Sequence, residues 1–122
     1  MEKLNVAIAD DNERIVQLLE NIVKSDKDLE VVGKAGNGEE IVNIINQKDQ
    51  DVVLLDIVMP GMNGFQVLHD MNKNQWIEDI PVIMISSEDS EKSIRRAYEM
   101  GESDYISRPF DAKVVYQRVF NT

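Results

Sequence analysis

The sequence is organised around residues 52–61, which read VVLLDIVMPG. Four consecutive apolar residues indicate a β-strand that is buried on both faces. Asp56 follows them directly. Pro60 and Gly61 then end the element, because proline lacks the N–H that a strand ladder needs and glycine permits a tight turn. Asp56 therefore stands at the carboxyl end of a buried strand, which is where ligands bind in open α/β sheets.

Strands and helices alternate along the rest of the chain. Apolar, β-rich runs predict five strands, at residues 4–9, 29–35, 52–56, 81–86 and 103–107. The apolar residues between them recur at helical spacing and predict five helices. The first helix is capped by Asp11 or Asn12 and ends near Lys24-Ser25, and the next two cover residues 39–47 and 64–72. The fourth is capped by Asp89 or Ser90 and stopped by Gly101, and the last is capped by Asp111.

This alternation with short loops implies right-handed crossovers and a parallel sheet covered on both faces. We therefore predict an α/β fold of the flavodoxin-like (βα)5 type. Its five-stranded parallel sheet has the order 2-1-3-4-5, with helices on both faces. The second strand carries charges, which favours a place at an edge of the sheet.

Composition restricts the class of function. The 122 residues suit one domain, 1–122, and no apolar run approaches the ~20 residues that span a bilayer. The absence of cysteine excludes disulfides, thiolate zinc sites and thiol catalysis. A net charge of −10 argues against direct nucleic-acid binding and suits a divalent cation or a basic partner. We expect a cytoplasmic protein with no membrane contact.

The predicted topology brings three carboxylates together. Strands 1 and 3 are neighbours, so Asp10 and Asp11, which end strand 1, are expected beside Asp56. Close carboxylates repel each other, and Mg²⁺, which takes six oxygen ligands, relieves the repulsion. Asp11 and Asp56 are the expected direct ligands and Asp10 a ligand partly through water, while the backbone carbonyl of Val58 could supply a third protein oxygen.

Two further strand ends converge on Asp56. Ser86 ends strand 4 and offers a hydroxyl, and Arg108 ends strand 5 and offers a permanent cation. An aspartate carboxylate is a competent nucleophile toward a phosphoryl group once a metal and a cation neutralise the approaching charge. We infer that an acyl phosphate forms on Asp56.

With these pieces in this order, the chain resembles the receiver domain of bacterial two-component response regulators over essentially its whole length. The matching pieces are Asp10-Asp11 after strand 1, Asp56 within LLDIVMPGMNG, Ser86 after VIMI, and Arg108-Pro109-Phe110. The resemblance implies that Asp56 accepts a phosphoryl group from a histidine kinase, a phosphotransfer protein or a small phosphodonor. Asp10 and Asp11 would hold Mg²⁺.

The resemblance also implies a switch. Ser86 would move to bond the phosphoryl group, and Tyr105, three residues before Arg108, would turn inward. The face formed by the fourth helix, fifth strand and fifth helix would then change its partners, which include a second copy of the chain in a homodimer. The peptide before Pro109 is expected to be cis. The domain would be the N-terminal part of a longer protein and control a C-terminal output domain or a downstream effector.

One feature departs from the family's pattern. The family usually has lysine where this chain has Arg108, whose wide planar fork is not equivalent to a compact ammonium. This substitution puts the rate of phosphorylation and its coupling to the switch in question. In the family, the residues two beyond the acceptor and two beyond the switch hydroxyl help to position the hydrolytic water, and in this chain these positions hold Val58 and Glu88. Because the side chain of Val58 cannot bind water, we predict a phosphoryl group that lasts longer than in a Val58→Asn variant.

Three other functions fit parts of the pattern. A degenerate receiver would act as an unphosphorylated protein-interaction module, and Arg108 keeps this reading open. A Mg²⁺-dependent phosphohydrolase with an aspartate nucleophile would need a general acid two residues after Asp56, where this chain has Val58. A flavodoxin-like cofactor carrier would need a Ser/Thr/Gly-rich loop after strand 1 instead of Asp10-Asp11-Asn12. We therefore favour a phosphoacceptor that catalyses its own phosphorylation and slow dephosphorylation, and not an enzyme with turnover.

Overall fold

The structure, a computed structural model, describes residues 3–47, 50–56, 64–76, 80–86, 95, 96, 98–101, 104–107 and 112–120. Its elements are β1 (Leu4–Ala9), α1 (Glu13–Lys24), β2 (Leu29–Ala35), α2 (Gly38–Gln47), β3 (Val52–Asp56), α3 (Gly64–Lys73), β4 (Val82–Ser86), β5 (Asp104–Ser107) and the C-terminal helix (Ala112–Phe120). The five strands are parallel and form one sheet in the order β2-β1-β3-β4-β5. The predicted fold class and strand order are confirmed. Within the described ranges, no helix is long and apolar enough to cross a membrane.

The core lies in two layers, one on each face of the sheet. On β3, Val53 and Leu55 belong to the cluster that contains side chains of α2 and α3. Val52 and Leu54 belong to the cluster formed with α1 and the C-terminal helix. Residues 52–55 are at most 2% exposed, as expected for a strand buried on both faces. Complete burial of a side chain such as that of Leu54 contributes about 1.5–3 kcal/mol.

Asparagine side chains fix the first turns of two helices. Asn12 caps α1, because its side-chain oxygen accepts a hydrogen bond from the backbone N–H of Arg14 at 2.9 Å. Asn37 caps α2 in the same way, accepting from the N–H of Glu40 at 2.9 Å, and its amide group donates to the Glu40 carboxylate at 2.8 Å. With this cap, α2 begins at Gly38, one residue before the predicted start.

The edge strand β2 contains a bulge. Val6 pairs with Val31 and Ala7 with Gly33, so Val32 is an extra residue in the ladder. Gly33 lies directly against α2, since a Cβ placed on it would be 2.6 Å from Cγ2 of Ile44. The missing side chain therefore lets α2 pack closely on the edge of the sheet.

The fourth predicted helix is described only in part. Arg95, Arg96, Tyr98 and Glu99 are helical, and the N–H of Met100 donates to the carbonyl of Arg96 at 3.0 Å. Gly101 has a φ of 100°, so the predicted stop at this glycine is confirmed. The predicted caps Asp89, Ser90 and Asp111 lie outside the described residues.

Strand β4 begins one residue later than the sequence pattern predicts. β4 begins at Val82 and β5 at Asp104. Pro81 precedes β4 and has no N–H to donate, but its carbonyl accepts a hydrogen bond from the N–H of Val53 at 3.0 Å. Ser103 lies outside the described residues.

Candidate functional site

Three carboxylates meet at the carboxyl edge of the sheet. Asp10 and Asp11 follow β1, and Asp56 is the last residue of β3. Because β1 and β3 pair in parallel, with Ala9 opposite Leu55, their ends lie side by side. One carboxylate oxygen of each of the three residues lies within 4.8 Å of those of the other two. The convergence predicted from the topology is therefore confirmed.

This acidic trio (Asp10, Asp11 and Asp56) offers a hard cation the donor atoms it needs. Asp10 and Asp56 are 2% and 4% exposed, whereas Asp11 is exposed. Charges that are largely removed from water interact more strongly than those on the surface, so the trio attracts a cation. All three donors are carboxylate oxygens, which suit Mg²⁺ rather than a metal that prefers nitrogen or sulfur. The exposed side at Asp11 is open to water, which Mg²⁺ usually keeps among its ligands.

A short turn holds the two aspartates that follow β1. The backbone N–H of Asp10 donates to the carbonyl of Ala35 at 3.1 Å, which ties the turn to β2. The side-chain oxygen of Asp10 accepts a hydrogen bond from the N–H of Asn12 at 2.9 Å. Asn12 in turn caps α1 through Arg14. The sequence pattern offered Asn12 and Asp11 as alternative caps, but the link from Asn12 to Asp10 was missed; the Asp-x-Asn spacing, typical of a side-chain turn, is the signal for it.

An open cleft of about 460 Å³ adjoins Asp10 and Asp11 and is also lined by residues of α1, β2 and the start of α2. Its described lining contains five carboxylates and one ammonium group: Asp10, Asp11, Glu13, Glu20, Glu40 and Lys34. The ammonium of Lys34 is already bound to Glu20, with an N–O distance of 3.1 Å. The approach to the trio through this cleft is therefore acidic and favours cations.

Glu20 is a charged residue that the helical pattern did not single out. Its side chain is 10% exposed and also contacts the ammonium of Lys24 at 3.3 Å. Lys34 foremost, together with Lys24, lowers the pKa of Glu20 below its ordinary value of 4.5, against the opposing effect of burial. This ion-pair group joins α1 to β2 beside the cleft.

The structure describes only two of the remaining predicted site residues, Ser86 and Tyr105. Ser86 is the last residue of β4, and β4 lies next to β3, so its backbone reaches the same edge as Asp56. Its hydroxyl lies outside what the structure describes. Tyr105, on β5, is 8% exposed and belongs to the core cluster on the α2–α3 face, so its ring is already buried in this structure. Val58, Glu88, Arg108 and Pro109 lie outside the described residues.

Comparison with known proteins agrees with the fold. The family model of the response regulator receiver domain matches residues 6–120. Among solved structures, the chain is similar to a chain of the CheX–CheY–BeF3–Mg²⁺ complex from Borrelia burgdorferi. The two are 32% identical, the match covers 98% of this chain and 89% of that one, and the TM-score is 0.87.

Two other solved structures are similar over almost their whole length. The receiver domain of the Francisella response regulator 1452 is 28% identical, with 98% of this chain and 95% of that chain covered and a TM-score of 0.88. The signal receiver domain of the putative response regulator NarL from Mycobacterium tuberculosis is 25% identical, with full coverage of both chains and a TM-score of 0.90.

Proposed function

Because the chain belongs to the response regulator receiver domain family, we propose that it is a signalling domain that accepts a phosphoryl group on Asp56 in a Mg²⁺-dependent reaction. The observation that carries this proposal is the meeting of Asp10, Asp11 and Asp56 with oxygens within 4.8 Å of one another. Asp56 is the acceptor, and Asp10 and Asp11 hold the metal together with it. The carbonyl of Val58 is the proposed further ligand.

The positions of the three carboxylates support this division of roles. One oxygen of Asp10 already accepts a hydrogen bond from the N–H of Asn12, so this carboxylate is oriented by the turn. Asp11 is exposed, as suits a ligand of a partly hydrated cation. Asp56 lies on the strand between β1 and β4, so the acids after β1 and the end of Ser86's strand are on its two sides.

In the proposed reaction, a phosphoryl group passes from the imidazole nitrogen of a phosphohistidine to a carboxylate oxygen of Asp56. A carboxylate oxygen of Asp56 forms a bond to phosphorus, the P–N bond of a phosphohistidine breaks, and its electron pair stays on the imidazole nitrogen. Bound Mg²⁺ would supply neutralising charge for the phosphoryl oxygens. Ser86 and Arg108 are the proposed partners of the transferred group, and Tyr105 the aromatic residue that responds to it.

Intact-mass measurement after incubation with acetyl phosphate and Mg²⁺ tests the proposal. We expect a gain of about 80 Da, which is lost in Asp56→Asn and when EDTA removes the metal. Asp70→Asn is the matched control, since it makes the same charge change on α3 and should still gain the mass. If neither acetyl phosphate nor phosphoramidate gives an adduct, the chain is a degenerate receiver that acts unphosphorylated.

The proposed partners follow from the same function. A histidine kinase or phosphotransfer protein donates the phosphoryl group in the cytoplasm. The face that includes β5 and the C-terminal helix then controls an output domain, a downstream effector or homodimerisation. Light-scattering mass measurements with and without the phosphoryl group test the dimer. Val58, in the place of a general acid, supports a phosphoacceptor over a phosphohydrolase with turnover.

The effect of Arg108 has its own test. Arg108→Lys restores the cation that the family usually has at this position. If arginine impairs the reaction, this variant should gain the acetyl phosphate adduct faster than the natural chain. Equal rates would show that the guanidinium serves as well as an ammonium.

A further inference from the structure

We propose that Asn12 is a positioning residue of the metal site, which holds the turn bearing Asp10 and Asp11 in the shape that a divalent cation needs. Asn12 follows the two aspartates and precedes α1. It contacts the acidic trio through its backbone and the helix through its side chain and carbonyl. This inference rests on the proposed function, because it assumes that the trio binds Mg²⁺.

The backbone of Asn12 orients Asp10. Its N–H donates to one side-chain oxygen of Asp10 at 2.9 Å, closing a turn two residues long. A hydrogen bond to one carboxylate oxygen restricts the rotation of the whole group. Asp10 is therefore held while its oxygens lie close to those of Asp11 and Asp56, against the repulsion among three like charges.

The side chain and carbonyl of Asn12 hold that N–H in place. The side-chain oxygen accepts from the N–H of Arg14 at 2.9 Å, and the carbonyl accepts from Ile15 at 3.0 Å and Val16 at 3.1 Å. The residue has the extended conformation of a cap, with φ −93° and ψ 110°. Because Leu19 on α1 is buried in the core, the helix is a rigid support for the turn. Asn12 thus fixes the position of Asp10 relative to α1.

Asn37 provides a matched comparison in the same molecule. It caps α2 with the same atoms, its side-chain oxygen accepting from Glu40 and its carbonyl from Ile41. The described hydrogen bonds of its side chain run to Glu40 and not to the acidic trio. Replacing either asparagine by alanine removes one cap from one helix, but only the replacement of Asn12 disturbs the turn that carries Asp10.

The test measures the binding of Mn²⁺, a paramagnetic substitute for Mg²⁺, to the full chain by electron paramagnetic resonance, with Mg²⁺ competition and thermal unfolding alongside. We expect Asn12→Ala to raise the Kd for Mn²⁺ about 10-fold, the lower end of the effect of losing a group that orients metal ligands. Asn12→Ser, which keeps a cap oxygen, should bind nearly as the natural chain does. Asn37→Ala should lower the unfolding midpoint and leave the Kd unchanged.

A further variant distinguishes a loss of metal binding from a loss of folding. Asn12→Gly keeps most of the stability of a capped helix but loses the side-chain anchor, so its Kd should also rise. The inference is overturned if Asn12→Ala and Asn12→Gly bind Mn²⁺ as tightly as the natural chain, or if Asn37→Ala weakens binding equally. Failure of the natural chain itself to bind Mn²⁺ or Mg²⁺ is a different result, which overturns the proposed function and this inference with it.

Discussion

The phenol of Tyr116, in the C-terminal helix, donates a hydrogen bond of 2.6 Å to the carbonyl of Ile22, in the last turn of α1. The hydroxyl of Ser25 donates to the same carbonyl at 2.8 Å, and the two hydroxyls contact each other. Tyr116 and Ile22 are 94 residues apart in sequence, so this contact fastens the last described helix to the first.

Tyr116→Phe should lower the free energy of unfolding by about 1 kcal/mol, because it removes one hydrogen bond and keeps the ring. Urea denaturation of the variant, of Ser25→Ala and of the double variant measures the effect. Since the two hydroxyls contact each other and each single variant already loses that contact, the double variant should lose less than the sum of the single losses. Strictly additive losses would contradict the shared contact.

Gly33→Ala should destabilise the fold by about 1–3 kcal/mol, since the new methyl would overlap Ile44 and force α2 to shift. Gly36→Ala is the matched control, because the nearest atom to its new methyl is the Glu40 carboxylate at 3.8 Å. Chemical denaturation compares the two variants. Ile44→Ala removes the overlapping Cγ2, so it should cost less stability in the Gly33→Ala background than in the natural chain. Equal stability of Gly33→Ala and Gly36→Ala would rule out the close contact.

Glu20 should make stability depend on pH in the acidic range. Its pKa is lowered in the folded state by Lys34 and Lys24, so its contribution is complete above the ordinary value of 4.5 and is lost as pH falls through the folded-state pKa. The natural chain should therefore be more stable than Glu20→Gln at pH 7, and the difference should shrink below about pH 4.5. Urea unfolding of both chains between pH 7 and 3 measures it. A difference that stays constant over this range would contradict the ion pair.

Asp11→Asn should affect stability in opposite directions with and without metal. In EDTA, removing one of three neighbouring charges should raise the free energy of unfolding by about 1 kcal/mol. In excess Mg²⁺, the natural chain should gain stability by binding the ion, and the variant should gain much less. Thermal unfolding in the two buffers tests this, with Asp70→Asn as the variant that should respond to Mg²⁺ as the natural chain does.

Val58→Asn should shorten the life of the phosphoryl group on Asp56. The side chain of valine cannot bind the attacking water, whereas that of asparagine can donate and accept hydrogen bonds. We expect the adduct of the variant to decay several-fold faster after removal of the phosphodonor, as followed by intact mass. An unchanged rate would mean that residue 58 does not position the water.

Much of the fold was predictable because strands and helices leave different patterns of apolar residues in the sequence. Fully apolar strands such as β3 and amphipathic helices such as α1 each have a distinct pattern, and the short loops then limit the topology. The acidic trio followed from the strand order, since parallel strands bring their ends to one edge. Asp11 and Asp56 are 45 residues apart in sequence, and only the topology brings them together.

The contacts that individual side chains make, with a helix end or with another element, could not be predicted from the sequence. Asp11 and Asn12 are both good caps, and the sequence alone could not choose between them. Glu20 is a polar residue on α1, and its burial depends on Lys34 reaching over from β2. Tyr105 lies on an edge strand, yet its ring is buried, since it belongs to a cluster with Met84 against which Met100 packs. These outcomes depend on tertiary packing, which local pattern does not encode.

The bulge in β2 also has a consequence for association between molecules. A regular edge strand presents an unbroken row of N–H and C=O groups, on which a strand of another chain can assemble. In β2 the extra residue Val32 interrupts that row, and the exposed side chains of Glu30 and Lys34 place charges along it. An incoming strand would lose register at the bulge and have to accommodate both charges. The irregularity beside Gly33 therefore protects this edge of the sheet from β-aggregation.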